Sequence, residues 1–250
     1  MRESSLVKVS WKNSPEGWKA ELMTVNREGF EKINLTPGRG FSFEITDERR
    51  CTGYAPEKGE RAKCPEFRKI DSGSQCPECR GKDIYSDYVR GDNQTDLEGE
   101  FSVYLAQISD TVKVGVTRTG NVRRRWVEQG ADYGVEIHHG MDARVALDTE
   151  SEISEKGLTE RIRKESKLPT AENPSALEKV MEKHGLEGEV IDVQDLTIYP
   201  ELEGDFRRKG LFEGELKSVK GQITSNGRIC MAMSSGKTLK NPEQKGLREF

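Results

Sequence analysis

Short runs in which apolar and polar residues alternate dominate the N-terminal part of the chain. Alternation with a period of two places every second side chain on one face of a strand, and glycine or proline between the runs predicts turns. We therefore predict a β-rich N-terminal segment over residues 1–50. Its four predicted strands lie at residues 6–11, 18–25, 30–35 and 41–45.

The middle of the chain predicts a second kind of unit, which we assign to residues 100–195. Two apolar runs at residues 101–108 and 112–116 are separated by a short polar turn, a pattern that is typical of a β-hairpin. A third run at residues 135–139 predicts another strand.

Two helices are predicted between and after these strands. Asn121 can cap a helix that runs to about Gln129 and ends at Gly130. Asp142 can cap a second helix at about residues 143–155. The predicted order of the central domain is therefore β-β-α-β-α.

The last part of the chain, residues 196–250, is again predicted to be rich in antiparallel strands. We expect its polar tail from Lys237 to lack regular structure. Neither terminal segment offers enough strands for a stable core by itself, so we expect residues 1–50 and 196–250 to share one sheet. The fold class predicted for the whole chain is α+β.

Composition limits the function classes. The chain has 250 residues, of which 33% are hydrophobic and 34% charged, and its net charge is −4. With this balance, a nucleic-acid-binding protein would have to concentrate its lysines and arginines on one face. No apolar run approaches the roughly 18 residues of a membrane span, and the first residues carry no signal-peptide pattern. We therefore expect a cytoplasmic protein with no membrane partner; the sequence does not indicate its oligomeric state.

Four cysteines fall within a polar segment, residues 51–95, that has few apolar residues of its own: Cys51, Cys64, Cys76 and Cys79. The last two belong to a Cys-Pro-Glu-Cys knuckle, which can place two thiolates on one tetrahedral ion. Four thiolates predict zinc in a structural site, because they leave no position open for catalysis. Free or redox-active thiols are the alternative. Cys230 lies far away in an apolar run and is predicted to be a core thiol.

The central domain also carries candidate chemistry. Tyr104 lies on its first predicted strand, Gly115 on its second, three consecutive arginines on its first helix and Glu150 on its second helix. Over roughly residues 101–165, this combination resembles the GIY-YIG nuclease superfamily, whose two strands carry Gly-Ile-Tyr and Tyr-Ile-Gly.

The resemblance implies a role for each of these residues. Tyr104 matches the tyrosine of the first motif, Gly115 the glycine of the second and Glu150 the metal ligand. The functional arginine is Arg123 by its distance from the second motif, and Arg125 by its place just before an aromatic residue.

The chemistry of phosphodiester cleavage explains why such residues would be needed. A guanidinium and a divalent ion can both neutralise the charge that builds on the phosphoryl oxygens. Mg²⁺ or Mn²⁺ retains several waters, so one carboxylate such as Glu150 is enough to hold it. A hydroxyl such as that of Tyr104 can position or deprotonate the attacking water.

Three positions depart from the GIY-YIG pattern. Ser102 stands where the first motif has glycine, and Lys113 where the second has tyrosine. A histidine that often follows the arginine is either missing or replaced by Gln129. A lysine at position 113 can contact phosphate, but its chemistry differs from that of a tyrosine.

A second resemblance covers about residues 45–225. Motifs around the cysteines and the central strands resemble a prokaryotic family known only as domain of unknown function 2797, which implies no activity. They are Cys51-Thr52-Gly53-Tyr54, Cys64-Pro65, Gln75-Cys76-Pro77-Glu78-Cys79, Val103-Tyr104-Leu105-Ala106, Lys113-Val114-Gly115-Val116-Thr117, Arg125-Trp126 and Glu128-Gln129-Gly130-Ala131.

The predicted function is a zinc-containing, nucleic-acid-processing protein that cleaves DNA or RNA with Mg²⁺ or Mn²⁺. Two alternatives remain: a zinc-containing module that binds nucleic acid without cleaving it, and a protein-interaction scaffold, which the net charge of −4 would suit. Each candidate residue also has a structural interpretation. Tyr104 can be a half-buried sheet residue, the arginines a solvated helix face, and Glu150 part of an exposed acidic patch.

Overall fold

The computed structural model of the protein describes residues 3–84, 98–155, 157–158 and 162–241. The class is mixed α+β with mostly antiparallel strands, as predicted. The strands are β1 Ser4–Lys12, β2 Lys19–Val25, β3 Phe30–Asn34, β4 Gly40–Arg49, β5 Phe101–Ile108, β6 Thr111–Arg118, β7 Tyr133–Met141, β8 Ile191–Asp192, β9 Asp205–Arg207, β10 Gly210–Glu215, β11 Ser218–Lys220, β12 Ile223–Ser225, β13 Ile229–Ala232 and β14 Lys237–Lys240. The helices are α1 Pro77–Lys82, α2 Val122–Gln129, α3 Ala143–Glu155 and α4 Ser175–His184.

Both ends of the described chain contribute to one antiparallel sheet, which we call the terminal sheet. Its strand order is β10-β4-β14-β1-β2-β3, so two strands from the C-terminal segment lie among four from the N-terminal segment. The rings of Phe43 on β4 and Phe212 on β10 stack at 5.0 Å between centroids, and both are buried. The core of this sheet therefore depends on residues from both ends of the sequence.

Strand β14 corrects the prediction of an irregular tail from Lys237. Thr238 and Leu239 are fully buried between neighbouring strands. The Lys237 ammonium donates to the Arg208 carbonyl oxygen at 2.8 Å and contacts the Asp47 carboxylate at 3.2 Å. Tertiary contacts thus hold a locally polar stretch in a strand. The remaining tail, residues 242–250, and residues 85–95 of the cysteine segment lie outside the described residues.

The central sheet has the strand order β6-β5-β7-β8, and the elements from β5 to α3 follow the predicted β-β-α-β-α order. Alternate residues of β5 point to two separate cores. Tyr104 and Ala106 pack with Trp126 of α2, whereas Leu105 packs with Ala146 of α3. Helices α2 and α3 therefore cover opposite faces of the same sheet.

The caps of these two helices differ. Asp142 caps α3 as predicted, because its Oδ1 accepts the Arg144 backbone N–H at 2.9 Å. The cap prediction for Asn121 is wrong, since its side chain makes no capping hydrogen bond. With φ −101° and ψ 0°, Asn121 lies outside the extended region from which a cap side chain reaches the first turn. Gly130 ends α2 in the left-handed conformation, as predicted.

A third sheet has the order β11-β12-β13-β9, and its β9 and β13 run parallel, which makes this pair an exception to the antiparallel pattern. It is joined to β1 by a buried hydrogen bond of 3.2 Å from Trp11 Nε1 to the Gly221 carbonyl oxygen. Within residues 3–84, 98–155, 157–158 and 162–241, no helix is long and apolar enough to cross a membrane.

Tyr199 fastens the segment after the central sheet to the terminal sheet. Its hydroxyl accepts the Ala20 backbone N–H at 2.8 Å and donates to the Leu35 carbonyl oxygen at 2.5 Å, and Tyr199 is 2% exposed. We expect Tyr199→Phe to lower the free energy of unfolding by about 1–3 kcal/mol, because it leaves two buried backbone groups without their partner.

Urea unfolding, followed by tryptophan fluorescence, measures this loss. The matched control is Tyr133→Phe, which removes the same atom from a hydroxyl that makes only an exposed 3.4 Å contact with the Glu172 carbonyl oxygen. Equal unfolding midpoints for the two variants would contradict the role assigned to Tyr199.

Candidate functional site

Four buried cysteines come together near one end of the terminal sheet. The sulfur atoms of Cys51, Cys64, Cys76 and Cys79 all lie within 4.8 Å of one another. A tetrahedral zinc ion with Zn–S bonds of about 2.3 Å needs sulfurs roughly 3.8 Å apart, so the cluster has a suitable size. These cysteines could hold a metal ion such as zinc.

The backbone around the cluster brings distant cysteines together. Helix α1 begins directly after Cys76, so Cys79 lies one turn further on and faces the same point. The Cys51 N–H donates to the Arg68 carbonyl oxygen at 2.8 Å. Gly53 has a φ of +79°, and a Cβ there would lie 2.0 Å from the Ala62 carbonyl oxygen. The first loop of the cluster therefore requires a glycine at this position.

Hydrogen bonds from the backbone favour the thiolate form of part of the cluster. Burial by itself would raise the pKa of Cys64, but the backbone N–H groups of Arg68 and Glu66 lower it below its usual value. Burial raises the pKa of Cys79, and its sulfur neighbours raise it further. A cation bound between the sulfurs would relieve this repulsion and allow all four to ionise.

A second group of residues surrounds Tyr104 on β5. We call Tyr104, Gly115, Arg125 and Gln129 together the tyrosine site. Tyr104 pairs with Gly115 of β6 across the sheet, and its ring lies over that glycine. A Cβ at position 115 would lie 2.5 Å from the Tyr104 hydroxyl oxygen and 2.7 Å from Cζ. Gly115 is thus the residue that allows Tyr104 to extend across the edge strand.

Helix α2 supplies the groups that meet the Tyr104 hydroxyl. Gln129 Nε2 donates to it at 2.7 Å. Burial raises the pKa of Tyr104, and the charge of Glu150 raises it further, while Arg125 and Gln129 act in the opposite direction. Since the pKa lies above its usual value, the hydroxyl is neutral at physiological pH.

The two candidate arginines differ in their relation to Tyr104. The charge of the Arg125 guanidinium lowers the pKa of the Tyr104 hydroxyl. Arg125 also forms a 2.9 Å salt bridge with Glu128. Its side chain is 44% exposed, so it can also contact a ligand. Arg123 is exposed and does not belong to the described groups that shift the pKa of Tyr104.

Lys113 and Glu150 approach the tyrosine site from different elements. Lys113 precedes Gly115 by two positions in β6 and therefore lies on the same face of the sheet as Tyr104. Glu150 belongs to α3, on the other face, but α3 packs against the edge strand β6. The charge of Glu150 can thus act on Tyr104 from the edge of the sheet, although burial contributes most to the raised pKa of Tyr104.

Trp126 fixes the position of α2. Its ring lies directly on Gly134 of β7, where a Cβ would come within 2.4 Å of the indole ring. It also meets the Tyr104 ring edge to face, with 6.5 Å between centroids. Two aromatic rings over two glycines therefore set the distance between α2 and the central sheet.

Two hydrogen bonds at the tyrosine site could not be predicted from the sequence. The sequence did not indicate Gln129 as a partner of Tyr104, yet its side chain makes the hydrogen bond to the Tyr104 hydroxyl. Lys167, which belongs to none of the sequence motifs, donates to the Gln129 carbonyl oxygen at 2.5 Å. Neither contact follows from local spacing, because each joins residues that are at least 25 positions apart.

The architecture is thus that of a mainly antiparallel α+β protein with a four-cysteine cluster and a tyrosine site on a separate sheet. The chain belongs to the family described as "Protein of unknown function (DUF2797)", whose model matches residues 38–205. The matched range includes all four clustered cysteines and the tyrosine site. No curated protein and no solved structure matches the chain. The resemblance to the GIY-YIG superfamily stays a prediction.

The cysteine cluster predicts about one zinc ion per chain in protein purified without chelator. Cys79→Ser should abolish stoichiometric metal and lower the unfolding midpoint, because metal binding contributes to the folding free energy. Cys230→Ala is the matched control, since Cys230 is equally buried but donates to the Glu203 carbonyl oxygen, away from the cluster. Elemental analysis and thermal unfolding measure both effects. Metal-free wild-type protein whose unfolding does not respond to added zinc would contradict this assignment.

The contact between Tyr104 and Gly115 predicts that Gly115→Ala lowers the free energy of unfolding by about 1–3 kcal/mol, because the new methyl group overlaps a buried ring. In a Tyr104→Leu background the same substitution should cost much less, since the overlapping atoms are gone. Gly29→Ala serves as the control, because a Cβ there would meet nothing within 4 Å. Equal costs of Gly115→Ala in both backgrounds, measured by urea unfolding, would show that the ring is not the obstacle.

Proposed function

We propose that this protein processes nucleic acid and cleaves a phosphodiester at the tyrosine site with the help of a divalent ion. The observation that carries the proposal is the convergence of three groups at the edge of the central sheet. The Arg125 guanidinium and, more weakly, the charge of Glu150 both act on the Tyr104 hydroxyl there, although the three residues come from three different elements. These are the residue types that phosphodiester cleavage requires.

Each group has a distinct task in this proposal. Arg125, which is partly exposed, donates hydrogen bonds to the phosphoryl oxygens as their negative charge increases. Lys113, on the same face of the sheet, contributes a second cation. Burial favours the neutral form of Tyr104, so its hydroxyl orients Arg125 and the attacking water and does not act as a base.

The residues fit a hard divalent ion with few protein ligands. Mg²⁺ or Mn²⁺ held by Glu150 would supply Lewis acidity at the phosphate. The Gln129 Oε1 atom is buried and has no hydrogen-bond partner among the described residues. An unpaired buried amide oxygen is costly, and a water at the site would satisfy it. Gln129 can thus accept a hydrogen bond from the attacking water while its Nε2 holds Tyr104.

Zinc has a structural role in the proposal. Four cysteine ligands complete a tetrahedral shell and leave no position for substrate or water. Zinc would stabilise a segment that contributes few apolar side chains to any core, in which the cysteines themselves form the buried cluster.

A second candidate function is binding of nucleic acid without cleavage. Two observations favour it: Lys113 stands where the nuclease pattern has tyrosine, and Tyr104 is only 1% exposed. In that case Arg125 and Lys113 would hold phosphate groups with no need for Mg²⁺. Salt-sensitive binding with no product at any metal concentration would distinguish this function from the first.

Cleavage assays on branched, nicked, single-stranded and duplex DNA and on RNA, with Mg²⁺ or Mn²⁺, test the proposal. We expect Arg125→Gln and Glu150→Gln each to reduce the cleavage rate about 10²- to 10³-fold, as the loss of one charge-stabilising group does in other enzymes. The matched controls are Arg123→Gln, on the same helix, and Glu152→Gln, on α3; both should cleave at the wild-type rate.

Three outcomes are informative. Loss of cleavage in Arg125→Gln and Glu150→Gln, with normal cleavage by the two control variants, supports the assigned site. Equal rates in all five proteins would mean that the site lies elsewhere. No cleavage by the wild-type protein, together with shifted bands that persist without metal, would favour the binding function.

A further inference from the structure

A cluster of cations lies beside the tyrosine site, on the segment between α3 and α4. Lys167 is at the end of the short 3-10 turn Glu165–Lys167, and its ammonium donates to the Gln129 carbonyl oxygen at 2.5 Å. The side chain of the same Gln129 donates to the Tyr104 hydroxyl at 2.7 Å. A single residue thus links Lys167 to the hydroxyl that we place at the reaction centre.

Lys167 and Lys164 are both partly buried and surrounded by positive charge. Burial, together with the charges of Lys164, Lys113 and Lys220 in that order, lowers the pKa of Lys167 to about 8. Burial, together with the charges of the nearby cations Arg49, Lys237 and Arg208, lowers the pKa of Lys164 to about 8. Their hydrogen-bond acceptors are neutral: the Gln129 carbonyl oxygen for Lys167 and the Ser234 hydroxyl, at 2.9 Å, for Lys164.

Carboxylates in this region are already engaged by other cations. Asp132 is paired with Lys220 and also accepts the Ser109 backbone N–H. Glu165, next to Lys164 in the chain, is paired with Arg208. The positive charge of Lys164 and Lys167 is therefore not balanced by these two neighbouring carboxylates.

A cluster of partly buried cations is electrostatically unfavourable unless an anion binds to it. Partly buried ammonium groups repel one another, and hydrogen bonds to neutral oxygens compensate less than a bound anion would. The chain has a net charge of −4, so this cluster is a local region of positive charge on a negatively charged protein. Cations gathered on one face are what a phosphate backbone attracts.

We propose that Lys164 and Lys167 form a second phosphate site that binds a backbone phosphate of the nucleic-acid strand next to the phosphodiester at Tyr104. The assignment of the first phosphate rests on the proposed function. The substrate is then a polynucleotide strand, since a mononucleotide or a small phosphodiester has no second backbone phosphate to place there.

A purely structural role for these lysines makes a different prediction. If their stems only fill space, replacing the ammonium groups would leave nucleic-acid binding unchanged and would increase stability by removing repulsion. Binding measurements with charge-removing and charge-conserving variants separate the two possibilities.

The test measures the affinity of a fluorescent 20-nucleotide single strand and of its duplex by anisotropy, between 50 and 300 mM NaCl. We expect Lys164→Gln/Lys167→Gln to weaken binding at least tenfold at low salt and to reduce the slope of log K against log[salt] by about one, as the loss of one phosphate contact does. Lys164→Arg/Lys167→Arg should bind like the wild type.

Lys179→Gln/Lys183→Gln is the matched control. It removes the same charge from exposed positions of α4, on the opposite face of the central sheet, and it should bind like the wild type. Thermal unfolding of all four proteins verifies that the variants are folded.

The outcomes separate this inference from the proposed function. Weaker binding of the Gln double variant alone supports the second phosphate site, even if the wild-type protein cleaves nothing. If the wild type cleaves, that variant should raise KM for the polynucleotide but not for bis(p-nitrophenyl) phosphate. Wild-type cleavage with unchanged affinity, salt slope and KM in the Gln double variant would overturn the second site and leave the proposed function standing. Failure of the wild type to bind either probe at 50 mM NaCl would overturn both.

Discussion

The tyrosine site depends on one packing constraint: the Tyr104 ring crosses the edge strand β6 only because residue 115 has no side chain. Any Cβ at that position would overlap the hydroxyl and the ring. The crossing carries the hydroxyl to the sheet edge, where α2 presents Gln129 and Arg125 to it. A second contact of the same kind, Trp126 on Gly134, fixes the height of α2 above the sheet. The close packing of these two aromatic rings on glycines therefore determines where the polar groups of the tyrosine site lie.

The rest of the molecule supports this arrangement with a small proportion of hydrophobic residues. Only 33% of the residues are hydrophobic, and the core is divided among several sheets rather than concentrated in one. The terminal sheet compensates by joining strands from both ends of the described chain. In the cysteine segment the four cysteines form a buried cluster of their own, so a metal ion there would add to the few apolar contacts of the segment.

Local patterns were sufficient to predict much of the fold. Alternation and turn residues predicted the strands around Tyr104 and Gly115, and Gly130 ends α2 as its position indicated. Cysteine spacing predicted a group of four, which the structure brings together. These features depend on neighbours in sequence or on a residue type with few alternative roles.

Tertiary contacts determined the features that could not be predicted. Which of Arg123 and Arg125 acts on Tyr104 depends on which side of α2 faces the sheet. Strand β14 is locally polar and is a strand only because β1 and β4 flank it. Lys167 reaches the tyrosine site through a contact with a residue 38 positions away, which no local pattern reveals.

Crystals of the protein grown with Mn²⁺ and a short nucleic acid would test the proposed catalytic site most directly. We expect an anomalous manganese peak at the Glu150 carboxylate, with a phosphate that contacts both this ion and the Arg125 guanidinium. A nucleic acid bound elsewhere, or manganese bound away from Glu150 while the phosphate avoids Arg125, would contradict the assignment of this site as a metal-dependent phosphodiesterase.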